Sequence, residues 1–196
     1  MALVPISGPA VEPVSLAEAK AHLRVSGTAE DLLIASLITA ARVHLELALS
    51  CAFITQTWSW FLDAWPQRIR LELPLGPVRS ISAARVLTAG DVITTLPPAS
   101  YLLSGRTVPP RLSLKERAYW SKGAPSPAFG ADGIEIEFIA GFGDAPADVP
   151  APLRLALLLL IAHWFEQRAP IEVGRGGTEL PPMIAELTAP YRQVLL

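Results

Sequence analysis

The side chains in this sequence that could do chemistry are three histidines, one cysteine and a scatter of carboxylates. A zinc site needs three or four such ligands converging on one point, usually announced by short spacings. His22, His44 and His163 instead fall on three separate predicted helices, and Cys51 stands alone. The pattern points to no metal, no intramolecular disulfide and a reducing compartment. Acid–base hydrolysis would need a carboxylate pair. Asp63, Asp91, Asp132 and Asp144 keep company with Trp, Gly or Pro, where Asp is common because it stabilises turns. Ser104-Gly105 and Ser121 have no nucleophile elbow around them. The "GRGG" at Gly174 to Gly177 neither follows a strand nor opens a helix, so it is expected to be a connector and not a phosphate loop. No catalytic, cofactor-binding or metal-ligating residue is assigned, and the expectation is a non-enzyme that uses no cofactor. The competing readings are a small hydrolase with its site on a β-rich insertion and a peptide or small-molecule binding module.

Composition narrows the field. The chain has 196 residues, a formal net charge of −2 and 51% apolar residues, with only 17% charged. A small soluble monomer usually carries about 25% charged residues, so surface buried in an oligomer is expected. Duplex DNA held through its phosphates calls for a basic excess, which is missing. The first residues, "MALVPISGPAVEPVS", have no basic start, and Pro5, Pro9 and Pro13 interrupt any apolar run, so they are expected to form an extended arm and not a signal peptide.

The elements follow from period and punctuation. "PVSLAEAKAHLRV" opens with Ser15-x-x-Glu18, and the helix expected over 28–50 opens with Thr28-x-x-Asp31, both capping-box patterns. In the second helix Leu33, Leu37, Ala40, His44 and Leu47 make one apolar stripe, and Ile34, Ile38, Ala41, Leu45 and Ala48 make another. Ser36, Thr39, Arg42, Glu46 and Ser50 are left as a narrow polar stripe. The middle of the chain changes to period two: "FITQTWSWFL", "RIRLEL", "SISAARVLTAGDVITTL" with a Gly90-Asp91 turn, "PRLSLKERAYW" and "GIEIEFIAG" are strand candidates, divided by Pro- and Gly-rich breaks. Trp58, Trp60 and Trp164 are expected to fill core. The run from Leu155 to Ala162 is apolar on all sides, but a bilayer span needs ~20 such residues, so a helix over 150–168 capped by Asp148 is expected, with no membrane.

The fold class is therefore α+β: a small helical core of two N-terminal helices and one long C-terminal helix, an inserted antiparallel β-subdomain, and a flexible C-terminal tail. The expected organisation is an arm over 1–12, one domain over 13–169 with its β-rich insertion at about 53–140, and a Gly/Pro-rich linker and tail over 170–196.

Taken together, "PVSLAEAKAHLRV", "EDLLIASLITAARVHLE", "ITQTWSWFLDAWP", "LPLGPVRSI", "IEFIAGFG" and "VPAPLRLALLLLIAHWFEQR" resemble, in order and spacing, the head–tail connector (adaptor) family of long-tailed phages and phage-derived gene transfer agents. The resemblance covers 13–169. It implies a twelve-fold ring beneath the portal of a virion or gene-transfer-agent particle, assembled in the bacterial cytoplasm, that continues the DNA channel. The implied partners are further copies of the chain, the portal protein, and a downstream neck/stopper or tail-terminator protein. DNA would pass through the lumen without specific binding. The over-apolar helices suggest Leu37, Ala41, Leu45, Leu157 and Ile161 as subunit interface, with Leu45 facing outward. The apolar end of the chain suggests Met183, Ile184, Leu187, Tyr191, Arg192, Leu195 and Leu196 as a portal-docking tail that takes order only on the portal.

Overall fold

The computed structural model describes residues 1–65, 70–88, 92–105, 107–115, 127, 132–167 and 181–193. The chain divides into two units: Ala10–Ile54 with Phe142–Arg192, and Met1–Pro9 with Thr55–Gly141 and Gln193–Leu196. The first is helical and the second is β, so the β unit is inserted between helices of the other.

The helical unit contains α1 (Leu16–Leu23), α2 (Asp31–Leu49), α3 (Ala151–Glu166) and α4 (Pro182–Thr188). α1 starts where its sequence says it should. The Ser15 hydroxyl accepts from the Glu18 N–H at 3.2 Å, and the Ser15 N–H donates to the Glu18 carboxylate at 2.9 Å. The second capping box does not form. α2 begins at Asp31 with Glu30 in the cap position and no side-chain cap, because the Asp31 carboxylate is taken by Lys20 from α1. α1 and α2 each end in a left-handed residue, Arg24 and Ser50. Asp148 does not cap α3 either. It closes a 3-10 turn, Pro146–Asp148, by accepting from the Ala145 N–H at 2.9 Å. Its carboxylate fills the space where a Cβ on Gly143 would stand, 2.2 Å away, so this turn requires glycine.

The helices bury one continuous apolar cluster, including Ile34, Ile38, Leu45, Phe53, Leu153, Leu157, Leu160 and Ile161. α2 has the length and apolarity of a membrane span. Five of its residues, Ile34, Ile38, Ala41, Leu45 and Leu49, sit in this cluster, as in the core helix of a soluble protein.

The β unit holds β1 (Ala2–Ser7), β2 (Gln56–Leu62), β3 (Arg70–Glu72), β4 (Val78–Thr88), β5 (Val92–Thr95), β6 (Tyr101–Ser104), β7 (Arg111–Leu114) and β8 (Ile134–Ala140). They form a five-stranded sheet ordered β1-β2-β8-β4-β5 and a three-stranded sheet ordered β3-β7-β6, with antiparallel pairing throughout. The alternation read in β8 is realised: Ile134, Ile136 and Phe138 are fully buried while Glu135 and Glu137 face the other side. The extended arm becomes edge strand β1, paired with β2 through Ala2↔Phe61 and Leu3↔Trp60. Trp60 is buried, and Trp58 is half-buried with its indole N–H enclosed and unpartnered. The Gly90-Asp91 turn, Ile69 and Gly174 to Gly177 lie outside the described residues.

Candidate assembly surface

Among the described residues no cluster of three His, Cys, Asp or Glu could hold a metal. His44 sits edge-on to Trp164, ring centroids 5.5 Å apart, within the helical unit. Cys51 is buried, and that burial, reinforced by Glu46, pushes its thiol up to about 12. A thiol held neutral in this way is a poor nucleophile.

The helical unit's main polar feature is a network around Arg42. Its Nε donates to Glu12 at 2.8 Å and a terminal nitrogen donates to Glu46 at 2.7 Å. The Thr39 hydroxyl donates to Glu12 at 2.9 Å, and the other Glu46 oxygen accepts the Phe53 N–H at 2.8 Å. Burial disfavours the guanidinium charge, but the two carboxylates outweigh it and raise the Arg42 pKa above its usual value. A second anchor joins the ends of the unit. Arg154 on α3 donates to the Pro13 carbonyl at 3.2 Å and pairs with Glu18 of α1. The Ser15 N–H and hydroxyl, with Arg154, hold the Glu18 carboxyl below its usual value. In the β unit, Arg85 on β4 bridges Glu135 (3.0 Å) and Glu137 (2.9 Å), and Ser59 donates to Glu135 at 2.7 Å. These two carboxylates raise the Arg85 pKa.

These contacts correct the expected orientation of α2. Arg42 and Glu46 are buried and not on a solvent stripe. Turning them inward turns Leu47 outward, where it is 75% exposed. Of the five residues expected at a subunit interface, Ala41, Leu45, Leu157 and Ile161 are buried in their own subunit's core, and Leu37 is half-buried against it. The outward placement of Leu45 is therefore wrong. A charge there attacks the core before it can reach any neighbour. The exposed large apolar residues of these two helices are Leu32, Leu33, Val43, Leu47 and Leu155. The buried Arg42–Glu46 pair at i,i+4 could have signalled this, but the same spacing is common on solvated helix faces.

Part of the segment expected to take order only on the portal packs within the helical unit. Ile184 is buried in the helical cluster, and Leu187 and Tyr191 pack against it, Tyr191 edge-on to Phe142 at 6.2 Å. Pro182 to Tyr191 is thus ordered on the chain's own core, because its apolar residues find a partner there. Met183 is exposed and Arg192 is also at the surface. Leu195 and Leu196 lie outside the described residues. Gln193 belongs to the β unit, with its amide against Gly76, whose Cβ would be 2.1 Å from the Gln193 Nε2.

No protein-family model and no curated protein sequence matches the chain. Solved structures do. A chain from the neck of an empty gene transfer agent particle computed with C6 symmetry is similar at 27% identity, with a TM-score of 0.79, over 100% of this chain and 97% of that one. A chain from the virion of a native gene transfer agent particle is similar at 27% identity and a TM-score of 0.80, with the same coverage. A third, from the neck of a native particle computed with C12 symmetry, is similar at 26% identity and a TM-score of 0.77, again over 100% and 97%.

Proposed function

We propose that this chain is a structural neck protein of a tailed phage or gene transfer agent particle. In this reading it is a head-to-tail connector that forms a ring beneath the portal, extends the DNA channel and offers a platform to the next neck or tail protein. The observation that supports it is end-to-end similarity, both units and their order included, to chains from such particles, one of them from a neck computed with twelve-fold symmetry.

The physical chemistry is consistent with the role. A conduit must not hold DNA by counterion release, which follows from clustered cations on its wall. This chain carries a net charge of −2, and Arg42, Arg85, Arg111 and Arg154 are each paired with carboxylates. The free protein is accordingly expected to show no useful affinity for duplex DNA at physiological salt.

Deleting the gene from a particle-producing cell tests the reading. The expected product is filled or empty heads without tails, restored to tailed particles by the gene supplied in trans. Normal tailed particles from the deletion strain would overturn it.

A further inference from the structure

α2 turns a charge-free arc to solvent. Leu32, Leu33, Ser36, Ala40, Val43 and Leu47 are all exposed and, at 3.6 residues per turn, share one side of the helix. Leu32 is 90% exposed. The charged residues of α2 are Asp31, Arg42 and Glu46; the first is paired with Lys20, and the other two are buried. α3 presents a second apolar arc in the same unit: Ala151 and Leu155 are exposed, and Leu158, Leu159 and Ala162 are half-buried. Glu166 is the charge at its far end.

A solvated helix face normally carries charge, so these arcs are built to be covered. DNA does not fit an arc without a cation. A bilayer surface does not fit one lacking the Lys and Arg of interfacial helices. A second copy fits. A ring that closes head to tail needs two different patches on each subunit, and α2 and α3 supply two.

We propose that the outer arc of α2 on one copy seats on the outer arc of α3 on the next, forming the subunit contact of the ring. This rests on the neck reading above and gives that reading its self-contact. The contact runs through Leu32, Val43 and Leu47 on one side and Leu155, Leu159 and Ala162 on the other. It does not involve the buried Leu45, Leu157 and Ile161.

Charge pairing tests it. Leu47→Lys places a cation near the C-terminus of α2 and Leu155→Glu an anion near the N-terminus of α3, where the helix dipoles tolerate them. Particles are purified from producing cells carrying wild type, each single variant or the double, and copies of the chain per particle are counted by quantitative mass spectrometry. Each single variant is expected to lower the copy number at least ~10-fold, with a thermal midpoint of the free protein close to wild type. The double variant is expected to recover most of the loss. Leu45→Asp, by contrast, lowers the midpoint itself. Wild-type copy numbers in the single variants, or a double variant no better than either, overturn this contact and leave the neck reading standing. Absence of the wild-type chain from particles overturns both.

Discussion

Replacing Arg42 by Met isolates the network that orients α2. The change keeps the apolar stem of the side chain and removes a guanidinium shared by Glu12 and Glu46 at 2.8 and 2.7 Å. Two carboxylates are left without their cation. The Glu46 side chain is 10% exposed and the Glu12 side chain 30% exposed. Removing one partner of a buried ion pair costs ~3–5 kcal/mol. Here Glu46 keeps the Phe53 N–H and Glu12 keeps the Thr39 hydroxyl and some water, which places the expected cost at the lower end, about 3 kcal/mol. In a domain of this size each kcal/mol moves the midpoint by roughly 2–4 °C, so a fall of about 6–12 °C is expected. Far-UV circular dichroism during heating measures it, with coincidence of a tryptophan fluorescence transition as the check on cooperativity. A fall smaller than about 2 °C would mean that the network does not hold α2 in this orientation, and the charge-free outer arc would lose its explanation.

Three further outcomes follow from the same geometry. Cys51, with its thiol pushed up to about 12, should react with maleimide at pH 8 at least ~10³-fold more slowly than a free thiol, reaching the ordinary rate only in denaturant; rapid labelling of the folded protein would contradict the burial. Ser15→Ala removes the cap and should cost about 1 kcal/mol at neutral pH. Because the Glu18 carboxyl is held below its usual value, its contribution is present above the unfolded carboxyl pKa of about 4.3 and lost as pH falls through the lower folded value. The stability gap between wild type and Ser15→Ala should therefore narrow in acid, and a gap that widens would be wrong in sign. Deleting 181–196 uncovers the site of Ile184 and removes the Tyr191–Phe142 contact, a loss of roughly 3–5 kcal/mol of apolar burial, so calorimetry should show a clear drop in midpoint where a free tail would give none.

Local, periodic signals carried most of the architecture. The Ser15–Glu18 box, the alternation of Ile134, Ile136 and Phe138, and the apolar density of Leu155 to Ala162 each depend on neighbours in sequence, and each appears as read. What failed depended on partners far along the chain. Thr28 and Asp31 spell a capping box, but Lys20 claims the carboxylate. α2 has two apolar stripes of similar strength, and the choice between them is made by Glu12, 30 residues before Arg42, together with the Phe53 amide. No local pattern reveals that. β1 shows no alternation because five of its six residues are exposed and its place comes from pairing with β2. β6 is four residues long and falls below any periodic signal. The terminal segment looked like a tether because its apolar residues had no visible partner, and the partner is the helical core assembled from both ends of the chain.

The most direct measurement is a cryo-electron microscopy reconstruction of the particle neck, with this chain identified by a small C-terminal fusion present in the map and absent from untagged particles. The account predicts a closed ring of this chain between portal and tail, with the fusion density repeating around the axis and the outer arc of α2 covered by the adjacent copy. A neck ring fully accounted for by other chains, with no fusion density at that level, would contradict it.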